Sequence, residues 1–89
     1  MDYEIKNDEY SFFIESYKRK LSGEIISKLI CQRKHKGITQ QEIAEATGIQ
    51  RSNIARFEAG RNIPTLDILI RYAEAVGMRL RIELEERQL

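Results

Sequence analysis

Residues 39–60, TQQEIAEATGIQRSNIARFEAG, constrain this chain more than any other stretch. Thr39 and Glu42 stand at the spacing of a capping box, in which each satisfies an N–H group that a helix start leaves open. Ile43 faces inward one turn later, and Ala44 beside it is small enough for a second helix to cross closely. Gly48 sits where the first helix must stop, because only glycine takes a left-handed backbone there at little cost. Ile49 buries the turn. Ile54 and Phe57, three apart, give a second helix one apolar face. The spacing predicts two short helices joined by a tight turn.

The flanking sequence predicts further helices. Tyr10, Phe13, Ile14, Tyr17 and Leu21 fall on one helical stripe, with Asp8 as the expected cap and Leu21 as the expected end. Ser22 is then expected to cap another helix, whose core face is Ile25, Ile26, Leu29 and Ile30 and which Gly37 closes. Pro64 disfavours helix at the residue before it, so Arg61 to Pro64 reads as a loop. Thr65 caps a last helix with the face Leu66, Leu69, Ile70, Ala73 and Val76, ended by Gly77. After that the period changes. Met78, Leu80, Ile82 and Leu84 alternate with Arg79, Arg81, Glu83 and Glu85, as in a half-buried strand. A single strand leaves its ladder groups unpaired, and the simplest partner is the same strand of a second copy, antiparallel across a two-fold axis. The expectation is an all-α bundle of about five helices with one C-terminal β-strand that pairs across a homodimer. Its parts are an N-terminal amphipathic segment (1–22), a central domain (23–77) and a dimerisation strand (78–85).

A chain of 89 residues, 42% hydrophobic, suffices for one modest core, and dimerisation would help it. The single Cys31 excludes an internal disulfide framework. Lying in the apolar IISKLIC run, it reads as a small buried hydrophobe. No apolar run approaches a membrane span, and the N-terminus has no signal-peptide pattern, so a cytoplasmic location is expected. The net charge is only +1, but residues 23–76 carry eight basic and six acidic side chains. Arg33, Lys34 and Lys36 precede the paired helices, Arg51 and Arg56 lie within them, and Arg61 follows, so a modest local basic surface is expected.

The constellation of Gln40, Ala44, Gly48, Ile49, Ile54, Phe57, Glu58 and Gly60, continued by Pro64, Leu66, Leu69, Ala73 and Gly77, resembles the helix-turn-helix of the phage-repressor (XRE, Cro/cI-like) family. Thr47 departs from the pattern, standing where that family usually has an aliphatic residue. The resemblance implies a lambda-repressor-like fold whose second short helix enters the major groove of DNA. The tail from Ala73 to Leu84, A-x-x-G-x-R-L-R-I-x-L, narrows it. It looks like the HigA-type and HipB-like antitoxins of bacterial toxin–antitoxin pairs, as does an aromatic segment before the core. That resemblance implies a homodimer that binds the promoter of its own operon and holds a toxin protein. Other readings are a regulator of the same family without a toxin partner, or a chain that is chiefly a protein-binding neutraliser.

Ile54 and Phe57 point to the core, so the opposite face of their helix carries Ser52, Ala55, Arg56 and Ala59, flanked by Arg51 and Asn53. Arg51, Ser52, Asn53 and Arg56 are therefore the candidate base readers, with arginine suited to guanine and asparagine to adenine. Ala55 is placed to touch a thymine methyl. Gln40, by resemblance, contacts phosphate and braces the recognition helix, and Thr39, Gln50, Arg61 and Asn62 are further backbone candidates. The expected partner is double-stranded DNA with a palindromic operator. The aromatic stripe of residues 10–21 is expected to pack on the domain or on a partner protein. His35 is the only histidine and has no companions at metal-ligand spacing, so neither a metal nor a cofactor is expected, and charge at a helix C-terminus is its expected role. Glu58, in its F-E-A-G setting, reads as structural. No nucleophile, base and oxyanion site assemble, so no enzymatic activity is expected.

Overall fold

The structure is a computed structural model and describes residues 7–88. It has four helices among them: α1 (Asn7–His35), α2 (Gln40–Thr47), α3 (Arg51–Glu58) and α4 (Leu66–Ala75). The expected count of five is corrected here. The two helices expected on either side of Ser22 are one, 29 residues long, and the 22/23 boundary falls inside it. Gly23 within a helix costs about 1 kcal/mol relative to alanine. That is too little to break α1, because Ser22 is buried and Ile26 and Leu29 pack in the core immediately after it. Asp8 lies in the first turn with Glu9, and Arg33, Lys34 and His35 occupy the last, so the charges at both ends suit the helix dipole.

The expected caps of α2 and α4 are present. Glu42 N–H donates to Thr39 Oγ1 at 3.0 Å and Thr39 N–H donates to Glu42 Oε1 at 3.0 Å. Thr65 Oγ1 accepts from Ile68 N–H at 3.2 Å. Gly48 ends α2 with φ +78°, the left-handed backbone that the turn requires. Thr47, the departure from the family pattern, has a role of its own. Its hydroxyl donates to Ile43 C=O at 2.7 Å and accepts from Ile49 N–H at 3.1 Å, so it ties the last turn of α2 to the loop.

The core forms where α1 and α2 each pack on both α3 and α4. Ile26, Leu29, Ile43, Ile49, Ile54, Phe57, Leu69, Tyr72, Ala73 and Val76 are buried. The Phe57 and Tyr72 rings meet edge to face at 5.8 Å. Tyr72 was not among the expected core residues. The buried face of α4 runs through Leu69, Tyr72, Ala73 and Val76, while Leu66 and Ile70 are 51% and 46% exposed, so the expected face is turned by part of a step. Cys31 is exposed, against expectation. The buried line of α1 passes through Ser22, Ile26, Leu29 and Arg33, and Cys31 stands about 200° around the helix from Leu29. The aromatic stripe of α1 does not pack on its own domain. Tyr10, Phe13 and Tyr17 are exposed, on the half of α1 that overhangs the core and makes the molecule 48 Å long but only 18 Å thick.

Beyond Gly77 neither helix nor strand is formed among the described residues, so the strand expected at 78–85 is absent in a single copy. Met78 and Leu80 pack against the core, whereas Ile82 and Leu84 are 63% and 96% exposed. The alternation in burial ends at Leu80: Arg81 and Glu83 pair with each other, and both are exposed.

At Gly48 a Cβ would meet no atom within 4 Å. The cost of Gly48→Ala is therefore the left-handed backbone alone, about 1–2 kcal/mol. Urea denaturation should read that loss with the transition slope unchanged, and an unaffected midpoint would contradict it.

Candidate nucleic-acid interface

The orientation of α3 is set by a polar cluster to which all four helices contribute. Arg33 of α1 reaches Glu58 of α3 as a fork, with Nε to Oε2 at 3.0 Å and Nη2 to Oε1 at 2.8 Å. Gln40 of α2 donates to Glu58 Oε1 at 3.0 Å, and the Tyr72 hydroxyl of α4 donates to Oε2 at 2.6 Å. Arg33 also donates from Nε to the Tyr72 hydroxyl at 3.0 Å and from Nη1 to Ile38 C=O at 2.9 Å, just before α2. The two charged side chains are 11% and 7% exposed, so this is an almost fully enclosed ion pair with its remaining groups satisfied. Arg33, counted above as part of a basic surface, is therefore structural. Glu58 has the structural role expected of it, and Gln40 braces α3 by holding this carboxylate.

Burial alone would push the Glu58 carboxyl up. The bonds from Arg33, Tyr72 and Gln40, with the Arg33 charge, outweigh burial and hold it below the ordinary value of 4.5. Burial likewise works against the Arg33 charge, and its bond and attraction to Glu58 prevail, raising it. Burial first, then the neighbouring Glu58, pushes the Tyr72 hydroxyl upward.

With α3 so held, Ser52 and Arg56 face away from the cluster and Arg51 stands beside it, and all three are exposed. Asn53 and Ala55 are half-buried. Asn53 accepts from Asn62 Nδ2 at 3.3 Å through its Oδ1, which joins a candidate reader to a candidate backbone residue and fixes the loop after α3. Two shallow hollows flank the helix. One brings Arg51 together with Lys34, Thr39 and Gln40. The other brings Arg56 together with Gln50, Asn53 and Arg71. Gln50 and Arg61 are exposed. Arg71 was not singled out in the sequence. It pairs with Asp67 at 3.1 Å and donates to Thr47 C=O at 3.4 Å, and the i, i+4 spacing of Asp67 and Arg71 was the available signal. At the start of α2 the capping box engages the N–H groups of Thr39 and Glu42, leaving those of Gln40 and Gln41 for an outside acceptor. The arrangement offers guanidinium, hydroxyl and amide donors on one side of a rigid two-helix unit.

Residues 32–82 match the helix-turn-helix family HTH_3. The chain belongs to this family. Among curated relatives it is similar to Antitoxin HigA1 of Mycobacterium tuberculosis, 38% identical over 61 residues, which cover 68% of this chain and 41% of the relative. It is 35% identical over 60 residues to the uncharacterized HTH-type transcriptional regulator y4dJ of Sinorhizobium fredii, covering 67% of this chain and 74% of that protein. Repressor protein C of Escherichia phage P2 is 28% identical over 50 residues, covering 56% and 50%. The chain thus spans about two fifths of the length of HigA1. No solved structure matches. No helix among the described residues is long and apolar enough to cross a membrane.

Glu58→Gln removes a charge from the enclosed pair and leaves Arg33 uncompensated, which should cost about 3–5 kcal/mol. The pH dependence has a definite sign. The folded-state value of Glu58 is lowered, so its stabilisation is complete above the unfolded value near 4.5 and disappears as pH falls through the depressed one. Urea midpoints of wild type and Glu58→Gln should therefore differ at neutral pH and converge on acidification below 4.5. A difference that persists unchanged in acid would show that the carboxylate charge is not the source.

Proposed function

We propose that this protein is a sequence-specific DNA-binding repressor that acts as a homodimer. The observation that carries the proposal is the enclosed Arg33–Glu58 cluster, which fixes α3 with Arg51, Ser52 and Arg56 facing out. Arg51, Ser52 and Arg56 read base edges in the major groove, and Asn53 does so as far as its bond to Asn62 leaves it free. Thr39, Gln40, Gln50, Arg61 and Asn62 meet the phosphates on either side. Gln40 has two duties, since it also holds Glu58. Arg56→Ala should cost about 1–3 kcal/mol on the cognate site and relax its sequence preference. Mobility shifts of the upstream region of its own gene test this, and the absence of any salt-sensitive complex with the wild type would sink the reading.

The dimer forms through residues 78–85, whose exposed Ile82 and Leu84 have no cover in one copy. An antiparallel pair centred on Ile82 sets Arg79 against Glu85 and Arg81 against Glu83, with Leu80 opposite Leu84. Centring on Arg81 or Glu83 sets like charges against themselves, and centring on Leu80 sets Arg79 against Arg81. Each cross-strand charge pair is worth only about 0.2–1 kcal/mol, yet symmetry repeats it. Ile82→Cys should give an intersubunit disulfide on mild oxidation. Efficient coupling through Leu80→Cys instead would place the centre elsewhere.

The similarity to HigA1 supports a further role as the antitoxin of a toxin–antitoxin pair, repressing its own operon and neutralising a toxin. Co-purification with the product of the adjoining reading frame tests that role. The similarity to y4dJ and to the phage P2 repressor favours a second reading, a regulator without a toxin, for which no such complex would be recovered.

A further inference from the structure

The overhanging half of α1 presents a stripe of large side chains. Tyr10, Phe13, Tyr17 and Leu21 are 47%, 56%, 50% and 43% exposed, and the Phe13 and Tyr17 rings stack at 6.0 Å. Contiguous apolar surface of this kind is an interaction site. Its charged edges say what it fits. With 100° per residue, Glu9 and Lys20 lie along one edge of the stripe and Lys18 along the other. Lys18 is already paired with Glu15 of its own helix at 2.8 Å, whereas neither Glu9 nor Lys20 has an ion partner among the described residues.

Two copies of such a helix can meet in two ways. In a parallel pair the edges oppose each other crosswise at one height, and Lys20 lies beside Lys18 of the partner subunit, which like charge disfavours. In an antiparallel pair about a two-fold axis each edge meets the same edge running the other way. Glu9 near one end then lies beside Lys20 of the partner subunit near the other, and symmetry supplies the contact twice. We propose that this stripe is covered by the same stripe of a second copy of the chain, antiparallel, with the two-fold axis passing between Ile14 and Glu15. The contact involves neither the DNA-facing side of α3 nor residues 78–85, so it is an association step separate from strand pairing.

Zero-length carbodiimide coupling of the full chain, with isotopically light and heavy copies mixed, tests the geometry. Within one helix Glu9 and Lys20 are eleven residues, about 16 Å, apart and cannot be joined directly. A Glu9–Lys20 link between a light and a heavy peptide is expected. Phe13→Glu should abolish the link and weaken the corresponding association step, read by sedimentation, by at least about tenfold. Circular dichroism should not change, because Phe13 lies outside the core. Glu9→Lys should weaken association by about two- to fivefold, and adding Lys20→Glu should restore it. A link that survives Phe13→Glu, or a double exchange that does not restore association, overturns the proposal. So does a stripe that stays unpaired in the pure protein and becomes covered only when a different protein is added. Failure of the strand dimer would appear separately, as the absence of an Ile82→Cys disulfide while the Glu9–Lys20 link persists.

Discussion

One carboxylate organises this fold. Glu58 accepts from Arg33, Gln40 and Tyr72, and so joins α3 to each of the other three helices in an enclosure that excludes most water. The buried Ile54 and Phe57 turn one face of α3 into the bundle, and the polar cluster holds it there. The fork of Arg33 on Glu58 is directional, because a planar guanidinium accepts few angles on a carboxylate. Enclosed ion pairs of this type add little net stability against an apolar replacement, and their contribution here is to orientation. The outward direction of Arg56 follows from a contact on the opposite side of the same helix, while Arg51, two turns before Glu58, stands on the side of the cluster and reaches out beside it.

Much of this was legible in the chain, and the parts that were legible have local causes. Thr39 with Glu42, Gly48, and Thr65 each set a helix end through bonds or backbone preferences within four residues, and each stands as the sequence implied. Ile43, Ile49, Ile54 and Phe57 are buried where the spacing placed them. What was not legible depends on contacts distant in sequence. The break expected at Ser22–Gly23 rested on local propensity, and the packing of Ile26 and Leu29 against α3 and α4 overrode it. Arg33 looked like a surface charge because its partner lies 25 residues away. Tyr72 was overlooked because its ring belongs to the core while its hydroxyl belongs to the polar cluster.

The candidate interface divides in the same manner. The exposure of Arg51, Ser52 and Arg56 was legible from helical periodicity, because exposure away from a buried face is a property of one helix. Asn53 and Asn62 were chosen for the same surface, yet they bond to each other, and no periodic argument foresees a contact between a helix and the loop that follows it. Arg71 enters from α4, through a hollow that exists only once the turn at residues 48–50, α3 and α4 are assembled. Thr47 is instructive in the opposite sense. A polar residue stands where the family usually has an aliphatic one, and its two hydrogen bonds tie the helix end to the turn.

The unbroken course of α1 makes it a ruler. From Arg33 in the polar cluster to Tyr10 on the overhang there is no hinge, and at 1.5 Å per residue the span is about 35 Å. Each residue inserted or removed between Leu21 and Ser27 would swing the aromatic stripe by about 100° around the helix axis while leaving α3 where it is. The azimuth of one surface relative to the other is therefore written in the count of residues between them, and a change of three or four nearly restores the phase where a change of two reverses it.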